Sequence, residues 1–254
     1  MATGIPRQKR ARKAATDVLR PLDAIRTGTM SVNAALLEVL RADFLKGSIP
    51  AGVKLKIPEL CARYSVSPGA VREALSRLVS EGLVDYADQR GFWSTAVDLD
   101  GLRDLTRVRI LVEKEALADA IRHGDAAWEQ QLRQAFVELC RTPRSGQGTE
   151  AQDWTASHKK FHRALVATCT SPWLTRLHNL YYDQTERYRM ISASAGAMAH
   201  GSSRDVEGEH GEIMEVAIQR DVEKAQFLIE GHLRTTVDRV EGAILAMERA
   251  SKAG

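Results

Sequence analysis

Four histidines in the C-terminal half of this 254-residue chain have the spacing of a metal site. His158 and His162 are four residues apart on one predicted helix, so their imidazoles project from the same face about one turn apart. His210 and His232 belong to two later helices, each within an amphipathic pattern. Four imidazoles from three helices could converge in a helical core on a transition metal such as Zn²⁺, Ni²⁺ or Cu²⁺. A histidine pair at this spacing is, taken alone, weak evidence for a metal site and is more often a pair of partly exposed helix residues.

Helices that could carry these histidines fill the chain from residue 98 to about residue 250. Asp98 is the predicted N-cap of a helix that runs to about His123, and Asp125 caps another that runs to Cys140. Further helices are predicted at about 153–169, 173–192, 204–219 and 222–248. With almost no strand pattern, this segment is predicted to be an all-helical bundle.

A different pattern precedes it, centred on the segment from Ser67 to Leu83. Ser67 is a good N-cap, Pro68 suits the first helical position, and Gly82 suits the position after the last turn. A shorter helix at Ile57–Tyr64 is joined to this one by a tight turn. Two short helices with such a turn predict a helix-turn-helix, whose second helix enters the DNA major groove. On this interpretation the residues facing DNA are Ser67, Gly69 and Arg72.

The surrounding segments complete a winged helix-turn-helix domain over residues 31–97. A helix is predicted from Ser31 to Lys46, and two β-rich runs at 83–87 and 92–97 flank a hairpin turn. At the tip of this wing, Gln89 and Arg90 could reach the minor groove or a phosphate, or could be part of a turn without a role. Residues 1–30 are expected to form a disordered basic arm that either contacts DNA or is a solvated tail.

Charge is divided unequally between the two halves. Residues 1–96 contain 15 Lys and Arg against 9 Asp and Glu, whereas the remainder contains 21 against 24. A basic half that also contains the helix-turn-helix is what a DNA-binding domain requires. The sequence shows neither a secretory signal nor an apolar run of membrane-spanning length, so we expect a cytoplasmic protein that does not bind membranes.

The N-terminal motifs resemble the winged-helix domain of the GntR family of transcription regulators. The family pattern matches Gly47 to Leu55, then Glu59-Leu60-Cys61, and then Val66 to Leu83 with Val71-Arg72-Glu73-Ala74-Leu75 at its centre. The chain departs at Pro68, where the family usually has an arginine that contacts DNA. The resemblance therefore implies binding to double-stranded operator DNA, with an operator preference of its own.

The C-terminal half resembles the FCD ligand-binding domain of the FadR-type branch of that family. The matching motifs are Arg109 to Glu113, His158-Lys159-Lys160-Phe161-His162, His210-Gly211-Glu212-Ile213 and the later His232. In many such domains an aspartate and three histidines bind a divalent metal. Here His158 stands in the place of the aspartate, and four imidazoles favour softer ions.

The same resemblance implies an effector site. A metal with open coordination positions and a nearby guanidinium would bind a small carboxylate, since Arg binds carboxylates bidentately. Arg109 has the family position for this role, although it could instead form an ion pair with Glu113. Arg187 and Arg189 could line the same cavity or could be part of a solvated face.

The expected protein is thus mostly α-helical, a winged helix-turn-helix followed by an FCD bundle, and is not an enzyme. We expect a ligand-responsive repressor that binds a palindromic operator as a homodimer. Two alternatives stay open. The bundle could bind a long acyl thioester without metal, or it could be a metallohydrolase, for which no general base is evident in the sequence.

Overall fold

The computed structural model describes residues 30–144, 149–194 and 204–253, so the predicted basic arm lies outside the described residues except for Met30. The fold is mostly α-helical, as expected. Its helices are α1 (Val32–Leu45), α2 (Ile57–Tyr64), α3 (Pro68–Ser80), α4 (Leu99–His123), α5 (Ala126–Arg141), α6 (Thr149–Leu165), α7 (Pro172–Ser194), α8 (Val206–Ile218) and α9 (Val222–Ala253), and its strands are β1 (Val84–Ala87) and β2 (Gly91–Ser94).

The helix-turn-helix is formed by α2 and α3, with α1 packed against α3. Ser65 ends α2 in the left-handed conformation, at φ 56° and ψ 46°. Two residues later, the Ser67 hydroxyl accepts a hydrogen bond from the Ala70 amide and caps α3. These two local features set the angle between the helices. The helical spacing of Val71, Leu75, Leu78 and Val79 predicts one buried face of α3; the first three are buried, whereas Val79 is 36 % exposed.

The wing is an antiparallel hairpin in which Val84 pairs with Ser94 and Ala87 pairs with Gly91. Lys54 forms a bridge to Trp93, so the extended segment before α2 lies along β2. The turn between the strands places Gln89 at φ 59°, in the left-handed region. The strands are shorter than the sequence suggested, because after Ser94 the chain turns toward the N-cap of α4.

The bundle of α4–α9 begins where the wing ends. Asp98, Asp125 and Asp205 accept backbone amide hydrogen bonds at the N-termini of α4, α5 and α8. Helix α4 packs against α7 and α9, while α5 packs against α6 and α8. Trp128 and Phe161 are buried in the core, whereas Trp173 is 70 % exposed.

The long helix α7 also contacts the winged domain. It packs against α1. The Gln184 side-chain amide donates a hydrogen bond to the Glu81 carbonyl oxygen at 2.5 Å, and the Arg187 guanidinium donates one to the Thr95 carbonyl oxygen at 2.5 Å. Helix α7 therefore connects the interior of the bundle to the end of α3 and to the end of the wing. No helix among the described residues is both long and apolar enough to cross a membrane.

Candidate metal centre and nucleic-acid interface

The four predicted histidines meet in the interior of the bundle. Each offers a ring nitrogen, and these four atoms all lie within 4.8 Å of one another. His162 Nε2 is 3.2 Å from His158 Nε2 and 3.3 Å from His210 Nε2. All four side chains are buried. Helix α6 supplies two of them from one face, while α8 and α9 supply one each.

Hydrogen bonds on the outer side of the rings fix the tautomers of two of these histidines. His210 Nδ1 lies 2.6 Å from the Val206 carbonyl oxygen, and His232 Nδ1 lies 2.9 Å from a Glu209 carboxylate oxygen. A carbonyl oxygen and a carboxylate can only accept, so each Nδ1 carries a proton and each Nε2 presents a lone pair to the centre. His158 Nδ1 is 2.6 Å from the Tyr182 hydroxyl, which can stabilise the same arrangement.

The rings are held in their neutral form. Burial, reinforced by nearby Arg189, lowers the pKa of His158 well below its ordinary value, and burial together with His158 does the same for His162. Burial and the neighbouring His232 lower the pKa of His210 to about 3. The Nε2 lone pairs of His210 and His232 face the space between the rings, where a cation can bind them. The donor set therefore fits a borderline divalent metal of the Zn²⁺ or Ni²⁺ type.

Arg109 lies beside this centre, but its guanidinium is already paired. It donates to one Glu113 oxygen from Nε at 3.0 Å and from Nη2 at 2.9 Å. The other Glu113 oxygen is 3.0 Å from Nδ1 of His178, a residue to which the sequence assigned no role. The ion pair suggested by the spacing exists, yet it is buried and not on the helix surface. Arg109 also lies over the Tyr182 ring, 5.1 Å from its centre, which places it at the wall of the site.

Arg189 and Arg187 point in different directions, because residues two apart on a helix do not share a face. Arg189 Nη1 is 3.5 Å from His158 Nδ1 and donates to Glu186 at 2.7 Å. Arg187 instead contacts the Thr95 carbonyl oxygen and is not brought to the histidines. The expectation that Arg187 lines the cavity finds no support in this geometry, and we do not propose an effector role for it.

Sequence reasoning missed two further arginines near the centre. Arg204 Nη2 is 3.2 Å from His232 Nδ1 and donates to Glu209 at 2.5 Å. Arg144 is exposed but lies over the Trp154 ring, and its pKa is lowered by partial desolvation and by the nearby charges of Arg189, Arg239 and Arg204. Arg144 follows α5 and Arg204 precedes α8, and the two share no motif spacing, so no motif could have revealed them.

The predicted DNA-contacting residues lie on the exterior of the winged domain. Ser67, Gly69 and Arg72 are exposed at the start of α3, and Gln89 and Arg90 are exposed at the tip of the wing. A Cβ added at Gly69 would meet only the Ser67 hydroxyl oxygen, at 3.9 Å.

A groove of about 890 Å³ joins the recognition helix to the wing. It is lined by residues of both, including Arg72 and Gln89, together with Lys54 and Lys56. The two lysines were not among the residues predicted from the sequence to face DNA. Cations on two sides of one groove, Arg72 on α3 and the two lysines on the extended segment, suit a phosphate backbone.

Two protein-family models match the chain. The model described as bacterial regulatory proteins of the gntR family matches residues 24–93, and the FCD domain model matches residues 104–235. Both are families of regulators and not of enzymes. The second match includes all four histidines.

Individual proteins agree with the family models. A regulator from Paraburkholderia xenovorans, the HTH-type transcriptional regulator BphR, is 38 % identical over 214 residues, which cover 83 % of this chain and 85 % of that protein. The HTH-type transcriptional repressor GlaR of Escherichia coli is 28 % identical over 81 % of this chain and 94 % of its own.

Solved structures show the same fold. McbR/YncC of Escherichia coli superposes with a TM-score of 0.69 over 84 % of this chain and 98 % of its own, at 18 % identity. A GntR family member from Pseudomonas syringae has 25 % identity and a TM-score of 0.53 over 86 % of this chain and 88 % of its own. With a winged helix-turn-helix at one end and four convergent histidines in a helical bundle at the other, the chain belongs to the GntR family of bacterial transcriptional regulators and has an FCD ligand-binding domain.

Proposed function

We propose that this regulator is a repressor whose helical domain binds a divalent transition metal and a small organic acid, and that the acid changes its affinity for operator DNA. One observation carries the metal proposal: four buried, neutral imidazoles converge within 4.8 Å. Nδ1 of His162 is buried without a hydrogen-bond partner, and the Nε2 lone pairs of His210 and His232 face the shared space, where a cation would bind them. His158, His162, His210 and His232 would hold it, and the bound ion would supply an anchor for a carboxylate.

The surroundings of the histidines support an acid as the ligand. Arg189 lies 3.5 Å from His158, and Arg204 contacts His232, so guanidinium groups stand on two sides of the centre. Guanidinium groups bind carboxylates with two parallel hydrogen bonds. A long acyl chain would need an apolar lining, which this charged surrounding does not offer.

On the DNA side, we propose that Ser67, Gly69 and Arg72 contact the major groove, and that Gln89 and Arg90 contact DNA from the wing. The protein would act as a twofold symmetric homodimer on a palindromic operator, with one winged domain on each half-site. Two relatives that bear repressor names motivate the choice of repression. Because its target is chromosomal DNA, the regulator would act in the cytoplasm.

The test combines metal content with operator binding. Mass spectrometry of the purified protein should find about one transition-metal ion per chain, and His162→Ala should lose most of it. His123→Ala, at an exposed histidine, should retain it. Operator binding, followed by fluorescence anisotropy on the promoter DNA of the protein's own gene, should weaken when an effective acid is added to the wild type but not to His162→Ala. Equal metal content in His162→Ala and the wild type would contradict the proposed centre.

A further inference from the structure

We propose that two copies of this chain associate through α4, which packs antiparallel against the α4 of the partner about a twofold axis beside Leu111. This inference rests on the proposed function in one respect, namely that the regulator is a homodimer. It adds the surface through which the two copies meet and the side chains that hold them together.

Two large apolar side chains are exposed on neighbouring helices of the bundle. Leu111 on α4 is 62 % exposed, and Phe227 on α9 is 76 % exposed. A salt bridge of 2.7 Å between Lys114 and Glu230 joins these helices, and each of its members lies three residues after one of the apolar residues. Single exposed apolar residues are common, but two on adjacent helices form a surface that a partner can cover.

The charges on the exposed stripe of α4 have opposite signs at equal distances from Leu111. Arg107 lies four residues before Leu111, and Glu115 lies four residues after it. Asp100 lies eleven residues before it, and Arg122 lies eleven after. All five side chains are exposed. They share one face, because four residues advance a helix about 40° past one full turn and eleven residues about 20° past three.

This arrangement makes the stripe complementary to itself. In an antiparallel pair of identical helices, residues at equal distances on opposite sides of the twofold axis face each other. With the axis beside Leu111, Arg107 would face the partner's Glu115, and Asp100 would face the partner's Arg122. Leu111 would contact the partner's Leu111 at the centre. Helices that cross at about 20° stay close enough along their length for the outer pair to form as well.

Contacts within the chain leave these charges available. Glu115 and Arg122 have no ion pair among the residues that the structure describes. Arg107 pairs with Asp104 at 2.8 Å, and Asp100 lies 3.6 Å from a neighbouring arginine, but both are exposed pairs between residues three apart. Such pairs contribute little to stability, so exchanging them for pairs across an interface costs little.

The balance of charge favours a second copy as the occupant of this surface. The two arginines and two acids of the stripe carry no net charge, which does not suit a polyanion such as DNA or an anionic membrane. An identical stripe, turned end to end, matches every one of these charges. Phe227, on the helix beside α4, would extend the contact beyond the α4 pair.

The position of the axis also suits a palindromic operator. Helix α4 begins at Leu99, directly after the winged domain, and at about 1.5 Å per residue its start lies roughly 18 Å from Leu111. Pairing about this axis would place the starts of the two α4 helices roughly 36 Å apart. Half-sites one turn of DNA apart are separated by about 34–36 Å. The proposed pair could therefore present two winged domains to one operator.

Sedimentation equilibrium of the full chain measures the dissociation constant of the dimer. The wild type should sediment at about twice its chain mass of 28.1 kDa. Glu115→Arg and Arg107→Glu should each raise the Kd by about tenfold or more, because like charges would then meet at two symmetric places. The variant that carries both substitutions should return to within about threefold of the wild-type Kd, since opposite charges face each other again.

The apolar centre has its own test. Leu111→Glu would place two carboxylates side by side at the axis and should also raise the Kd by about tenfold or more. Val137→Glu, at an exposed apolar residue of α5, is the matched control and should dimerise like the wild type. Leu111→Cys should form a disulfide between two chains on mild oxidation, because only a residue beside a twofold axis lies next to its own counterpart. Val137→Cys should not.

Three results would overturn the inference: an unchanged Kd in Glu115→Arg and Leu111→Glu, a doubly substituted variant that does not recover, or equal cross-linking of Leu111→Cys and Val137→Cys. All substitutions are at exposed positions, and circular dichroism shows whether each variant is folded. A dimer that resists these substitutions leaves the proposed homodimer standing and places its interface elsewhere. A wild-type chain that stays monomeric at every concentration removes both.

Discussion

At the scale of single residues, the neighbours of the histidines matter as much as the histidines themselves. Glu209 accepts from His232 Nδ1 and is held in turn by two hydrogen bonds from Arg204. Although burial raises the pKa of Glu209, the hydrogen bonds from His232 and Arg204 lower it more, so the carboxylate stays charged. Such a carboxylate orients the ring and increases its basicity toward a metal.

Replacing this carboxylate should weaken metal binding without removing a ligand. We expect Glu209→Gln to lower metal affinity by about 10–100-fold, the usual effect of losing an outer-sphere partner. Competition with a chromophoric chelator measures the change. Glu212→Gln, on the exposed side of the same helix, is the control. Identical affinities for both variants would mean that Glu209 does not influence the centre.

The buried group formed by Arg109, Glu113 and His178 predicts a specific pH dependence. Burial raises the pKa of Glu113, but His178 and Arg109 lower it more, from 4.5 to about 2. The folded state therefore keeps this carboxylate charged where the unfolded state protonates it. Its stabilisation is fully present above pH 4.5 and is lost as the pH falls toward 2.

Glu113→Gln should reduce the free energy of unfolding at pH 7 by about 3–5 kcal/mol, because it leaves Arg109 buried without its counter-charge. The difference from the wild type should narrow as the pH falls below 4.5. Urea unfolding followed by circular dichroism at several pH values measures it, with the exposed Glu115→Gln as control. A difference that does not vary with pH would show that Glu113 is not charged in the fold.

Functional residues could be predicted from the sequence where they belong to a recognisable motif. The four-residue spacing of His158 and His162 defines a shared helix face, and family motifs led to His210 and His232. The sequence could not place Arg144 and Arg204, because Arg144 follows the end of α5 while Arg204 precedes α8, and only tertiary packing brings each of them near the histidines. Arg187 illustrates the converse: it is two residues from Arg189 in sequence but contacts a different domain.

At the scale of elements, the capping residues in the sequence predicted the starting positions of several helices. The capping residues Ser67, Asp98 and Asp125 predicted where α3, α4 and α5 begin. The hydroxyl or carboxylate of each accepts a hydrogen bond from a first-turn backbone amide that has no acceptor within the helix. Burial was harder to predict. Trp173 and Val79 fit apolar patterns yet are exposed, since a pattern reports one face of a helix and not what packs on it.

The position of Arg72 on the recognition helix predicts that it contributes to DNA binding. Arg72 is exposed on α3 and lines the groove that leads to the wing. Arg72→Ala should weaken specific operator binding by about 1–3 kcal/mol if Arg72 reads a base, and should reduce the salt dependence of binding if it contacts only phosphate.

Anisotropy titrations at several salt concentrations distinguish these two roles of Arg72. Arg77→Ala, on the exposed last turn of the same helix, controls for the loss of one positive charge. Unchanged affinity at every salt concentration would remove Arg72 from the DNA interface.

At the scale of the whole molecule, α7 is the element that both sites share. Tyr182 contacts His158 on one side of it, and Gln184 reaches the Glu81 carbonyl oxygen, directly after α3. A ligand that shifts α7 would therefore shift the recognition helix. Regulation requires only that the acid favour one placement of α7 over the other.

Gln184→Ala should separate ligand binding in the bundle from the effect of the ligand on DNA binding. The variant should bind metal and acid like the wild type, while the change in operator affinity caused by the acid should fall from the usual 5–150-fold toward none. Anisotropy with and without saturating acid measures the coupling, and Gln134→Ala, at an exposed glutamine of α5, is the control. Full coupling in Gln184→Ala would mean that the signal takes another route.

The two acceptors that α7 uses on the winged domain, the carbonyl oxygens of Glu81 and Thr95, belong to the main chain. Every amino acid presents the same carbonyl oxygen, so substitutions at these positions leave the acceptors in place. The DNA-reading surface can consequently diversify over evolutionary time without loss of communication with the bundle. A descendant of this regulator could acquire a new set of target genes while still answering to the same chemical signal.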